Sequence, residues 1–268
     1  MTDKTVLMDV DARGVATVTL NRPEVHNAFN EEVIGNLRAA FDDAAGRTDL
    51  RALVLQGNGK SFSAGADLNW MKGMAAYSHE ENVADAKRMA AMFDRLNTLP
   101  MPTIAKIQGS AFAGGLGLVS ACDIAVAADH AKFAVTEVRL GLIAAAISPY
   151  VIAAIGAGAA RRYFHTAERF DTAAAKRIGL LHDVVPAGDL DAAVEAILTS
   201  ILRNAPASVQ ASKELIRACA GPVTEAMRND TAGRIAGVRA SAEGQEGITA
   251  FFEKRKPAWA VEKETADV

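Results

Sequence analysis

Thiols are scarce in this chain of 268 residues: it carries two cysteines, Cys122 and Cys219. They stand far apart, without metal-ligand spacing, which excludes a disulfide framework and a cysteine zinc site and fits a reducing, cytoplasmic setting. No long basic stripe is present and the net charge is −3, so a dedicated nucleic-acid surface is not expected. His26, His79, His130, His165 and His182 show no i,i+4 pairing, and no metal site is expected. The N-terminal stretch lacks the apolar core of a signal peptide and the Arg/Ser-rich character of a transit peptide. A G-x-S-x-G nucleophile elbow is missing too, which argues against a serine hydrolase. Neither repeats with a recognisable motif nor low-complexity tracts occur. Residues 140–160 do run without a charge, nominally enough to cross a bilayer. They contain Ser148-Pro149, Gly156 and Gly158 and much alanine, so two buried helical pieces broken near the proline are expected instead of a membrane span.

What remains is a chain that is 50% hydrophobic and 23% charged, the composition of a soluble globular protein. It is long enough for one large domain, or a core domain with a smaller appendage. Residues 5–20 read as two strands around a turn at Asp11-Ala12-Arg13-Gly14. Asn30 reads as the cap of a helix closed by Gly46, and residues 52–55 as a strand covered on both faces. Ser78 caps a longer helix whose buried side is expected to carry Val83, Ala86, Met89, Ala90, Phe93 and Leu96. Short strands are expected at 103–107, 123–128, 132–135 and 181–185. Asp123 reads as a cap or turn residue. From Asp189 to Lys256 the pattern is helical only, with breaks near Pro206, Gly221-Pro222 and Gly244. The composition shift places a domain boundary at residue 186: a mixed core over 1–186 and a helical region over 187–268.

The chain is organised around residues 108–123, QGSAFAGGLGLVSACD. A strand feeds a turn at Ala113-Gly114-Gly115, and a helix of small and apolar residues follows. Glycine permits close backbone approach, and a helix start offers unpaired amide N–H groups with partial positive charge. A second strand-end loop, Ala64-Gly65-Ala66, leaves the backbone open in the same way. Each loop is able to offer an N–H to one oxygen, and two such donors make an oxyanion hole. The plain alternative is tight packing of helix on strand, and these residues alone leave it open.

Several ordered motifs narrow the choice. Asn21-Arg22-Pro23 with Asn27-Ala28, the run from Phe62 to Leu68, the run from Gln108 to Asp123, Glu137 to Leu142, the stretch from Ala174 to Val185, and GITAFFEKRK near the C-terminus together resemble the enoyl-CoA hydratase/isomerase (crotonase) family over nearly the whole chain. The stretches NRPEVHNAFN, AGADLNWM and ISPYV look closest to its methylglutaconyl-CoA and isohexenylglutaconyl-CoA hydratase branch. The resemblance implies an α/β fold, a spiral of ββα units with a C-terminal helical region through which subunits form trimers or dimers of trimers. It implies an acyl-CoA thioester substrate whose oxygen lies between the amides of Ala66 and Gly114, and no cofactor beyond the coenzyme A of the substrate. Arg22, Val25, Ala28, Ala64, Asp67, Leu68 and Gly115 would lie along the CoA, and Lys254 would reach its phosphates. From the residues themselves, Ser148 and Tyr150 are candidates to line the acyl pocket, with a helix start at Ser148-Pro149 as the plain alternative, and Trp70 and Met71 are candidates for its wall, with a place in the core as theirs.

Hydratases of this family typically use two glutamates around one water. One maps to Glu137, which stands just before the apolar run at Leu140; a carboxylate facing that run would have a raised pKa suited to proton exchange. Its plain alternative is a loop carboxylate paired with Arg139. The other position holds Gly117, a departure from the pattern. A second departure is Ala144-Ala145-Ala146, where the family commonly carries Pro or Gly. The function expected is hydration of a 2-enoyl-CoA, a branched glutaconyl-CoA by the branch resemblance. The alternatives are a one-glutamate enoyl-CoA isomerase and a non-catalytic acyl-CoA-binding protein.

Overall fold

The computed structural model describes residues 4–260; the first three residues and the tail 261–268 of the expected helical region lie outside the described residues. A hairpin opens the chain, β1 (Val6–Val10) antiparallel to β2 (Val15–Leu20). Helix α1 (Glu31–Gly46) follows; its cap Asn30 accepts from the amide of Val33, and Glu31 and Glu32 sit in its positive first turn. Then a pattern repeats. β3 (Ala52–Gly57) and β4 (Ser61–Ser63) lead into α2 (Leu68–Met74) and α3 (His79–Asn97); β5 (Thr103–Ile107) and β6 (Ser110–Phe112) lead into α4 (Gly114–Ala121). β7 (Ile124–Ala128) and β8 (Lys132–Ala134) lead, through residues 135–147, into α5 (Ser148–Thr166). β9 (Phe170–Asp171), α6 (Thr172–Arg177) and β10 (Asp183–Val185) complete the mixed region; helices α7 (Leu190–Leu202), α8 (Pro206–Ala218), α9 (Glu225–Ala240) and α10 (Ala242–Phe252) end it.

Each ββα unit places its first strand in one sheet and its second in another. The larger sheet runs β1-β2-β3-β5-β7-β10 and the smaller β4-β6-β8-β9. From β2 onward the larger sheet is parallel, as are β4, β6 and β8. Parallel strands need both faces covered, and Ala52 to Leu55 are all buried. The spiral of ββα units expected from the sequence is therefore the fold. Among the described residues, those up to Leu99 with Thr103–Val194 form one compact unit, and Pro100–Pro102 with the residues from Glu195 onward form another. Within the second unit the Lys213 ammonium donates to the carbonyl of Met101.

Two local expectations need correction. Met92, not Met89, joins Phe93 and Leu96 on the buried side of α3, while Val83, Ala86 and Ala90 are exposed; the buried residue of its first turns is Asp85, which pairs with Arg88. The run 140–160 does not break at its proline. Pro149 starts α5, where a missing N–H costs nothing, and the break falls at Gly156, whose φ of 72° only glycine adopts readily. Residues 140–147 form a loop in which Leu140, Leu142 and Ile143 are exposed, and no helix among the described residues is long and apolar enough to cross a membrane. The cap or break expected near Gly244 is Ser241, which caps α10 by accepting from the Gly244 amide.

Asp123 turns the chain between α4 and β7. Its Oδ2 accepts from the amide of the buried Thr103 at 2.7 Å and from the Thr103 hydroxyl at 2.9 Å, and that hydroxyl accepts from the Asp123 amide. Asp123→Ala leaves two buried donors at the start of β5 unsatisfied. A loss of about 1–3 kcal/mol is expected, read as a lower denaturant midpoint with the slope unchanged.

Candidate active site

Because β4, β6 and β8 are parallel neighbours, the segments that leave them emerge at one edge of the small sheet. Ligand sites form where parallel strands end. Residues 64–67 leave β4, Ala113 leaves β6 and Thr136-Glu137 leave β8. The two loops and the carboxylate singled out in the sequence are thus brought together by topology: Ala64, Ala66, Gly114 and Glu137 line one cavity of about 340 Å³.

The segment 21–29 fixes the first loop. Asn27 is buried in a left-handed conformation, φ 54°, which asparagine tolerates better than most residues. Its side-chain amide donates to the carbonyls of Asn58 and Ser61, while its oxygen accepts from the Arg22 amide. Phe29 then bridges to Ala66 as a parallel strand would: its amide donates to Gly65 and its carbonyl accepts from Asp67. In such a bridge the central residue's own N–H points away from its partner, so the Ala66 amide is turned from Phe29 and is not used in the bridge; Ala66 itself lines the cavity. Gly114 is the first residue of α4, so its N–H has no intrahelical acceptor.

Glycine is required at two successive positions of the second loop for close approach. A β-carbon on Gly114 would stand 2.8 Å from the Phe29 ring, and one on Gly115 would stand 2.7 Å from the Ser63 carbonyl. Phe29, 1% exposed, therefore touches both donor loops, yet sequence reasoning passed over it. The signal available was its place two residues after Asn27, where a buried aromatic continues the fixed segment.

Glu137 opens a short 3-10 turn. Its Oε2 is buried with no hydrogen-bond partner among the described residues. Burial raises its pKa above the ordinary glutamate value, and the main chain at Glu137 and Thr136 offsets only part of this. Pairing with Arg139 does not occur: that guanidinium donates to the Ala167 carbonyl. Apart from Thr136, the rest of the wall is mostly apolar, with Trp70, Met71, Met74, Met89, Leu142 and Ile147 in it and Ala144, Ala145 and Ala146 beside Ile147. Trp70, which lines this cavity and a neighbouring depression with Arg22 and Asp67, has a buried indole Nε1 without a partner among the described residues. At Gly117 a β-carbon would stand 2.2 Å from Cγ2 of Ile147, so the space where the second family carboxylate would start belongs to Ile147.

The remaining expected contacts divide. Arg22 donates to the Ala28 carbonyl at 2.8 Å and pairs with Asp67 at 3.0 Å. Asp67 also caps α2, accepting from the amides of Asn69 and Trp70. Desolvation opposes its ionisation, but the Asn69 amide and Arg22 outweigh it and hold the carboxyl below its usual range. Leu68 is exposed at the mouth and Val25 ends the turn Pro23–Val25. Ser148 and Tyr150 are not in the cavity wall. The Ser148 hydroxyl donates to the Ala144 carbonyl, and Tyr150 lines a separate depression with Cys122 and His182; α5 starts only at Ser148, so both lie beyond the loop that faces Glu137. Lys254 lies in the second unit, just past α10, with a left-handed φ of 57°. Among the described residues no group of three or more His, Cys, Asp or Glu is placed to hold a metal ion.

Comparison with known proteins agrees with this geometry. The family model for enoyl-CoA hydratase/isomerase matches residues 11–262. A solved enoyl-CoA hydratase from Shewanella pealeana is 43% identical with a TM-score of 0.92, covering 95% of this chain and 96% of that one. A short-chain-enoyl-CoA hydratase of Clostridium acetobutylicum is 31% identical over 90% of this chain and 92% of its own length. A mitochondrial Δ(3,5)-Δ(2,4)-dienoyl-CoA isomerase of Dictyostelium discoideum is 30% identical over 92% of this chain and 88% of its own. With the family model covering residues 11–262 and relatives 30% identical or more over nine-tenths of the chain, the chain belongs to the enoyl-CoA hydratase/isomerase family.

Proposed function

We propose that this protein adds water across the double bond of a 2-enoyl-CoA. The amides of Ala66 and Gly114 hold the thioester oxygen, polarising the carbonyl so that the β-carbon becomes electrophilic and the enolate is stabilised. Glu137 takes a proton from the attacking water as the oxygen bonds to the β-carbon, and the protonated carboxyl then gives that proton to the α-carbon as the enolate collapses, which returns Glu137 to its ionised form. The observation that carries the reading is the buried, unpartnered Oε2 of Glu137, a residue that lines the same mostly apolar cavity as Ala66 and Gly114. No cofactor is needed beyond the CoA that the substrate brings.

A second reading has its own support. With Ile147 filling the volume over Gly117, one carboxylate serves the cavity, and a single base suits proton transfer between the α- and γ-carbons, which is isomerisation. Incubation of 2-enoyl- and 3-enoyl-CoA in ¹⁸O-labelled water separates the two. Hydration leaves label in a hydroxyacyl product; label-free interconversion of the two enoyl-CoAs sinks the hydratase reading, and no turnover sinks both.

On the acyl group, the motif resemblance favours a branched glutaconyl-CoA such as 3-methylglutaconyl-CoA. The unpartnered Trp70 indole N–H supports it, as a donor for a distal carboxylate oxygen. A panel pairing 3-methylglutaconyl-CoA with a neutral 2-enoyl-CoA of equal length tests it, since a higher kcat/KM for the neutral partner contradicts the assignment. Assembly as a trimer or dimer of trimers belongs to the same reading. Phe251, Phe252, Ile248, Ile216 and Val223 of the second unit are exposed and offer apolar surface to such an interface. Cys122 and Cys219, neither of them in a disulfide, are in keeping with a cytoplasmic enzyme.

A further inference from the structure

We infer that Ala113 is a positioning residue for the oxyanion hole, its methyl group serving as the spacer that holds the two donor loops at a fixed separation. The inference rests on the proposed role of the Ala66 and Gly114 amides. Ala113 immediately precedes Gly114 and lines the cavity. Its backbone, φ 47° and ψ −118°, is a conformation that glycine adopts freely and alanine does not. The next two residues are glycines, so the strained position carries the side chain while its unstrained neighbours do without. Such strain persists only where the surroundings over-determine it, and it clusters at active sites.

The surroundings are visible. The Ala113 amide donates to the Ala134 carbonyl at 3.0 Å, and its carbonyl accepts from the Gly117 amide at 3.1 Å. Between these anchors the methyl faces the other loop: a β-carbon on Gly65 would stand 2.9 Å from that of Ala113. Gly65 therefore lacks a side chain where Ala113 keeps one. The two residues meet directly, each one position before its proposed donor amide, Ala66 or Gly114. Phe29 braces the far side, bonding Gly65 through its amide and packing its ring on Gly114. A methyl group on one side and a ring on the other set the spacing of the donors.

Ala113→Gly relieves the backbone and removes the spacer. The expected result is a melting temperature no lower than that of the parent, with kcat reduced about tenfold and KM nearly unchanged. Ala113→Ser keeps the β-carbon and is expected to retain most of the turnover. A direct reading comes from butanoyl-CoA, which cannot react, labelled with ¹³C at the thioester carbonyl. Its infrared stretch should fall in frequency on binding to the parent enzyme and fall less in Ala113→Gly. Equal shifts and equal kcat in the two proteins would overturn the role of Ala113. Absence of any shift in the parent would instead overturn the oxyanion hole beneath it.

Discussion

Replacing Glu137 by glutamine is expected to lower kcat by about 10²–10⁴-fold, the range that a positioned acid–base group supplies, while KM for the acyl-CoA changes little. The side chain keeps its shape, and only the capacity to accept a proton is lost. Two further readouts separate a catalytic loss from a structural one. In the parent, activity should rise with pH as the base ionises, and because burial raises its pKa that limb should lie above the ordinary glutamate range. Residual activity in the variant should lack the limb. Stability should move the other way. A carboxyl whose folded-state pKa exceeds its unfolded value stabilises the fold fully below the unfolded pKa, and that contribution fades as pH rises through the folded one. At neutral pH an ionised, unpartnered Oε2 is therefore a burden on the fold. Glu137→Gln should melt at or above the parent temperature near pH 7 and gain no such advantage near pH 4. Turnover within a factor of three of the parent would remove Glu137 from the mechanism.

How much of this was legible in the sequence depends on the distance over which each feature is decided. Caps and short strands are local, so Asn30, Ser78 and the run 52–55 read correctly from hydrogen-bond chemistry and apolar patterning. The loops at Ala66 and Gly114 read correctly because strand, glycine and helix follow in order within a few residues. What failed was tertiary. The start of α3 carries Val83, Ala86 and Ala90 on a helical stripe, yet the core they would face is not there and they stand exposed. The apolar run after Glu137 looked like helix by composition, but its first residues form a cavity wall and mouth. Phe29 and Ile147 escaped notice, and Ala113 was read only as part of its turn, because their importance lies in what they touch. Each meets a glycine on another segment, and no window of sequence shows both partners.

Gly117 and Ile147 make the sharpest test of such a pairing. In an exposed helix interior, Gly→Ala gains up to about 1 kcal/mol from propensity. At Gly117 the sign should reverse, because the new β-carbon would lie 2.2 Å from Cγ2 of Ile147 and 3.0 Å from the Phe93 ring. Overpacking of this kind costs about 1–3 kcal/mol, and Gly117→Glu should cost more, about 4 kcal/mol, since it also thrusts a charge into an apolar wall. Ile147→Ala alone should lose about 2–4 kcal/mol through the cavity it leaves. Together the two changes should be less harmful than their sum by about 1–3 kcal/mol, the coupling expected of residues competing for one volume. Additive losses in denaturant titrations would show that Ile147 does not hold that space. The same double variant places a second carboxylate opposite Glu137, so the fraction of turnover that incorporates ¹⁸O from labelled water should rise relative to 3-enoyl/2-enoyl interconversion. A rescued fold with an unchanged ratio would mean that the missing glutamate does not decide between hydration and proton shuttling, and that control of the water lies with the substrate or with the wall formed by Trp70 and the methionines.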